Sequence, residues 1–180
     1  MQYVPERSFI ASLTSTTPGY EGILDSVESK SDESTRRNHQ WLTVSAFSSV
    51  ESQQRFWFGY FAGENPGYRV RAVGGSNGDA HYDAWDLSAN GYVGYYPTSK
   101  KPVLWRLWVN GASGVPTRGA QEGVTIAAVG SVPIGVRNRK SWEDRYVQAG
   151  APNKLIMSLG VEHVNVPLFD SWSKLTNYRR

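Results

Sequence analysis

The densest polar grouping in the chain is "SNGDAHYDAWD", which sets Asp79, His81, Asp83 and Asp86 within one short run. Carboxylates and an imidazole at alternate positions can turn toward one ion, and such oxygen and nitrogen donors suit calcium, manganese or zinc. The run lacks a glycine-centred calcium loop and carries Tyr82 and Trp85 instead. It therefore reads first as a polar surface loop built around those two aromatic residues, with a metal site as the sharper alternative. Covalent and acid–base catalysis find less. No serine sits in a Gly-x-Ser-x-Gly elbow, and His39, His81 and His163 have no partner recognisable at sequence level. "AVGGSNG" follows a strand-like run but lacks the lysine of a phosphate loop, so it reads as a turn. No catalytic residue, cofactor or enzymatic activity is expected.

A second chemistry is stacking. Tyr82, Trp85, Tyr92, Tyr95 and Tyr96 crowd one stretch, and exposed aromatic rings present a flat apolar face to a sugar ring. A glycan-binding β-sandwich is the function this implies. The competing use of the same residues is burial in a core or a subunit interface, where Trp and Tyr carry much of the association energy.

Charge adds little. The formal net charge is +3, too small to imply a strong grip on nucleic acid. Basic residues gather at Arg36 and Arg37, at Lys100 and Lys101, at Arg137, Arg139 and Lys140, and at Arg179 and Arg180. These read as solvated loop charges, with Arg36, Arg37, Arg137, Arg139 and Lys140 as candidates for weak contact with a genome. There is no cysteine, hence no disulfide framework and no thiolate ligand. Neither a signal-peptide pattern, nor a membrane-length apolar run, nor an Asn-x-Ser/Thr sequon is present, so no secretion or membrane insertion is expected.

Strands must position whatever the chain binds. With 18 Gly and 9 Pro, turns are frequent. "RFWFGYF" and "PGYRVRAV", separated by "ENPG", predict a hairpin. "VLWRLWV" (103 to 109) alternates and ends at Asn-Gly. "GVTIAAVGSVPIGV" (123 to 136) predicts a strand interrupted at Gly130 and Pro133, as at an edge or a bulge. "WLTVSAF" fits a short helical turn or an irregular strand equally. The fold class expected is all-β, an antiparallel β-sandwich or jelly roll. Residues 1–40 are expected to form an extended N-terminal arm with peripheral segments, 28–38 its least structured part. Residues 41–172 form the sandwich domain, and 173–180 a polar tail.

The last strand, "KLIMSLGVEHVNVPLFDSW", breaks its own alternation. Leu159 and Val161 share one parity, Val164 and Val166 the other. A bulge near Glu162 and His163 would reconcile the two and keep Val164 and Val166 buried, with Pro167 ending the ladder. This ending, with Val166, Pro167, Leu168, Phe169 and Ser171, resembles the final strand of picorna-like icosahedral virus jelly-roll capsid proteins. "WLTVSAFSSVESQQRFWFGYFAGENPGYRVRAV" is similar to the short helix and following strand pair of the same group. The resemblance implies a structural shell subunit in a virion assembled in the host cytoplasm. Its partners would be copies of itself or other capsid subunits, with weak genome contact and a possible glycan receptor. Trp57, Trp105, Trp108, Leu168, Phe169 and Trp172 would be its interface anchors.

Overall fold

A computed structural model of the chain describes residues 1–29, 35–37, 40–47, 53–73, 84–96, 103–138 and 145–168. Among these the architecture is all-β, with a 3-10 turn at Pro5–Arg7 and 3-10 geometry again at Phe47. The strands are β1 (Gln2–Tyr3), β2 (Phe9–Ser15), β3 (Gly22–Asp25), β4 (Val27–Ser29), β5 (Thr35–Arg37) and β6 (Thr43–Ser45). They continue with β7 (Arg55–Ala62), β8 (Gly67–Ala72), β9 (Ala84–Leu87), β10 (Val93–Tyr96), β11 (Trp105–Val109) and β12 (Ala112–Ser113). The last are β13 (Gly119–Ala128), β14 (Ile134–Asn138), β15 (Arg145–Ala149), β16 (Asn153–Lys154) and β17 (Met157–Val164).

The sheet closes on itself. Strands β7, β8, β11, β13, β17 and β2 follow one another, and β2 pairs back onto β7, so these six form a barrel. Closure leaves no open edge around the ring. The strand β2 also begins a second sheet. Its first half pairs with β7, from Phe9 opposite Phe58 to Ser12 opposite Arg55, and on the same edge Thr14 and Ser15 pair with β3. From there β3, β6, β15, β14 and β16 run on in order. The hairpin of β9 and β10 leaves β8 at Arg71–Ala84 and reaches the second sheet through Trp41–Gly94 and Tyr92–Gln148 bridges.

Alternation assigns the faces of the barrel. Phe9, Ala11 and Leu13 of β2, Phe56 and Phe58 of β7, Val70 of β8, and Trp105 and Leu107 of β11 point into one continuous core. Phe9 stacks on its cross-strand partner Phe58 with ring centroids 4.7 Å apart. Each such fully buried aromatic residue contributes on the order of 3 kcal/mol. The opposite face of β7 is apolar too. Trp57 and Phe61 join Ile10, Val73 and Val166 in a second cluster, flanked by Tyr3, Leu104 and Leu168. Arg71 and Arg69 lie over the Trp57 and Phe61 rings respectively, their stems and guanidinium planes covering apolar surface.

Several expectations change here. The first forty residues are not a peripheral arm. Phe9–Ser15 is a central strand flanked on both sides, and Gly22–Asp25 is buried throughout. The polar composition misled because Ser8, Ser15, Asp25, Ser26 and Thr43 are buried with hydrogen bonds, for example Ser8 Oγ to the Val4 carbonyl at 2.8 Å and Thr43 Oγ1 to the Val27 carbonyl at 3.0 Å. The segment 28–38 is expected to be least structured, yet β4 and β5 pair there from Val27–Arg37 to Ser29–Thr35. Residues 43–45 are strand, which decides between the two forms that "WLTVSAF" left open. The segment 123–136 splits into β13 and β14, and β13 lies inside the ring between β11 and β17, away from any edge.

Other expectations hold. β7 and β8 pair from Phe56–Ala72 to Phe61–Gly67. Asn110 and Gly111 take positive φ values of 49° and 80°, the two-residue turn that Asn-Gly favours, and join β11 to β12. The bulge in β17 lies between Val161 opposite Ala11 and His163 opposite Ile10, so Glu162 is the extra residue. Val166 is buried at 1 % exposure as expected, but the expected burial of Val164 is not found: it is 40 % exposed, because it ends the strand at the barrel rim. The strand stops at Val164, before Pro167.

Candidate functional site

One recess belongs to the junction where the β9–β10 hairpin meets the second sheet. Trp41 precedes β6, Tyr92 precedes β10 and Tyr146 lies on β15, and together with Ser88, Ala89 and Asn90 they line a cavity of about 280 Å³. The bridges that hold the junction also aim the rings. Tyr92 pairs with Gln148, Trp41 with Gly94 and Tyr146 with Thr43. Backbone bonds from Leu42 N–H to the Val93 carbonyl and from Tyr95 N–H to the Gln40 carbonyl clamp Trp41 on both sides.

Ring geometry follows from this. Trp41 and Tyr92 meet edge to face at 6.1 Å, and Tyr92 and Tyr146 do so at 6.2 Å. Gly94 makes the Trp41 position possible, since a Cβ at 94 would sit 3.2 Å from the Trp41 ring and 2.9 Å from the Gln40 carbonyl oxygen. The rim is a tight turn. Gly91 has a φ of 77°, Gly91 N–H donates to the Ser88 carbonyl, and Tyr92 N–H donates to Ser88 Oγ at 3.0 Å. Gln148 Nε2 donates to the Asn90 carbonyl at 2.7 Å and ties the turn to β15.

Among the described residues, no charged side chain lines this recess. Among the described residues, the Trp41 indole N–H, the Tyr92 hydroxyl and the Asn90 side-chain amide make no hydrogen bond within the protein. A neutral ligand with an apolar face and hydrogen-bonding edges matches such walls.

The residues singled out by sequence scatter. Of the stacking candidates, Tyr92 lines the recess, but Trp85 is in the barrel core and Tyr95 is buried with its hydroxyl donating to the Asp25 carbonyl at 3.1 Å. Neither presents a free face. Tyr96 is half-buried, and burial together with the Asp86 charge raises its pKa. Tyr82 lies outside the described residues, as do Asp79, His81 and Asp83 of the metal candidates. Asp86 is half-buried and accepts the Leu87 N–H at 2.8 Å. Among the described residues no group of three or more His, Cys, Asp or Glu side chains is placed to hold a metal ion.

The interface anchors also move. Trp57 is 0 % and Trp105 1 % exposed, so both belong to this chain's own packing. Leu168 packs beside Val166 on the outer cluster over Trp57. Trp108 stays half-buried at the surface, and Phe169 and Trp172 lie outside the described residues. Arg137 is exposed on β14, and Arg36 and Arg37 lie on β5; Arg139 and Lys140 are outside the described residues. Among the described residues no helix is long and apolar enough to cross a membrane.

Sequence reading missed Trp41 and Tyr146. Each stands in a separate strand-like run with no local signal linking it to Tyr92, and only β-pairing across the second sheet unites them. Compared with family models, curated proteins and solved structures, the chain matches none.

Proposed function

We propose that the chain is a non-catalytic β-barrel recognition module that binds a neutral saccharide between Trp41, Tyr92 and Tyr146. One observation carries the reading: three aromatic rings from three separate segments converge on a recess of about 280 Å³ that no charged side chain lines among the described residues. A pyranose ring offers C–H groups to stack on such walls and hydroxyls to engage the Trp41 N–H, the Tyr92 hydroxyl and the Asn90 amide. A nucleotide would need cations at its phosphates, and the described lining residues supply none.

The test is a neutral-oligosaccharide array followed by titration of the ligands that bind. Trp41→Ala, with an unchanged circular-dichroism spectrum, is expected to weaken binding at least about tenfold, the usual effect of removing a central aromatic anchor. A blank array, or binding indifferent to Trp41→Ala and Tyr92→Ala, overturns the reading.

A shell subunit is the second reading. Its support is the bulged, proline-terminated exit of β17, the feature on which the capsid resemblance rests. A jelly-roll description of the two sheets belongs to this reading. With Trp57 and Trp105 internal, its contacts would fall to Trp108 and to exposed Val115, Val132 and Ile156. Light scattering distinguishes the two: a monomer at high concentration, alone and with candidate partner subunits, removes the shell reading and leaves the saccharide reading intact.

A further inference from the structure

A second cavity, also of about 280 Å³, has the opposite chemistry. It opens beside the Trp105–Tyr68 pair, which is the one registered pair that β8 shares with β11 among the described residues. Arg7, at the end of the 3-10 turn, and Arg106, on β11, both line it, with Tyr60, Tyr68, Trp105 and Trp108. Among the described residues it shares no lining residue with the Trp41 recess, and no acidic side chain lines it.

Its polar groups are nearly all donors in want of an acceptor. Arg7 Nη1 donates to the Tyr60 hydroxyl at 2.8 Å, which leaves the Tyr60 proton free to point elsewhere. The Arg7 Nε–H is buried and has no hydrogen-bond partner among the described residues. Tyr68 is only 4 % exposed, and its buried hydroxyl likewise has no partner among the described residues. Arg106 is exposed on the cavity rim and makes no ion pair among the described residues. Leaving such buried groups unpaired is costly, and two guanidinium groups near one cavity without a carboxylate repel one another. An oxyanion would relieve both costs. Beside these donors stand Trp105, Trp108, Pro66 and Leu107, flat or apolar walls for an uncharged body.

We propose that this cavity binds a small organic anion, a carboxylate or phosphate head held by Arg7, Arg106, Tyr60 and Tyr68 with a planar apolar body against Trp108. The proposal is independent of the saccharide reading. Arg–oxyanion pairs are the strong, geometrically specific form of this contact.

Ligand-observed NMR and calorimetry on the full chain, with benzoate, phenyl phosphate and neutral benzyl alcohol as probes, test it. At least one anion is expected to bind at least about tenfold more tightly than the alcohol, and Arg106→Gln to weaken that anion about tenfold while leaving the alcohol unchanged. Arg106 is the cleaner variant because it is exposed and holds no partner among the described residues, so its replacement removes no contact seen there. Arg7→Gln and Tyr68→Phe are expected to weaken the anion as well, and Trp41→Ala to have no effect. Preference between benzoate and phenyl phosphate identifies the head group. No anion binding up to about 10 mM, equal binding of the alcohol, or anion affinity indifferent to Arg106→Gln overturns the proposal.

Discussion

Arg55 on β7 donates from Nη1 to Oε2 of Glu162 at 3.3 Å, reaching across β2, the strand that lies between β7 and β17. Glu162 is the residue that the bulge adds to β17. Gly160 opposite Ser12 keeps the intervening surface low, since a Cβ at 160 would sit 2.8 Å from Ser12 Oγ. The pair is partly solvated, with Glu162 40 % exposed. Glu162→Gln is therefore expected to lower stability by less than about 1 kcal/mol in urea unfolding. Deleting Glu162 leaves Val161 opposite Ala11 and His163 opposite Ile10 in an unbulged ladder, so that variant is expected to fold. Deleting Ser158, inside the regular ladder, would instead turn the buried Met157 outward and is expected to cost on the order of 3 kcal/mol or more. Equal losses from the two deletions would contradict the bulge assignment.

Gly59 is the floor on which Trp57 rests. A Cβ at 59 would lie 2.0 Å from the Trp57 ring, and Trp57 is confined by Ile10, Phe61, Val73 and Val166. Gly59→Ala must push the indole out of that cluster, at about 1–3 kcal/mol. Urea unfolding should show the loss, and native-state tryptophan emission should shift to the red. A neutral Gly59→Ala would mean that the outer cluster is loosely packed.

Gly94 positions the saccharide recess without lining it. Gly94→Ala is expected to displace Trp41, whose ring would otherwise be 3.2 Å from the new methyl group. Affinity for the array-selected saccharide should fall roughly tenfold, while the organic-anion cavity keeps its affinity. Saccharide binding unchanged by Gly94→Ala would show that Trp41 does not hold the ligand.

Tyr68 ties stability to alkaline pH. Burial pushes its pKa from 10.0 up to about 12, with the Arg7 charge opposing and Tyr60 adding to the rise. Below pH 10 both folded and unfolded chains hold this proton, and its contribution is fully present. As pH climbs from 10 toward 12 the unfolded chain releases the proton while the folded chain retains it, so stability falls. Urea midpoints at about pH 9 and about pH 11 should differ less in Tyr68→Phe than in the parent, and a tyrosine ionising at about pH 12 should vanish from the absorbance titration.

Local pattern accounts for part of this molecule. Alternation in "PGYRVRAV" and "VLWRLWV", the turn residues between strands, and the parity change around Glu162 each correspond to a feature of the fold, because strand period and turn geometry are set by neighbours in sequence. The face of Trp57 is different. "RFWFGYF" is apolar on both faces, since the barrel core covers one and the Ile10–Val166 cluster the other, so no alternation marks which ring points where.

What the sequence determined by itself is therefore the β class, individual hairpins and the bulged exit of the last strand. The tertiary structure alone decided that Phe9–Ser15 closes a barrel, that Trp57 and Trp105 are internal, and that Trp41, Tyr92 and Tyr146 share one recess. The reason is physical. Strand pairing joins segments far apart in the chain, and which distant edges meet depends on burying all of the apolar faces at once, a condition that no local stretch expresses.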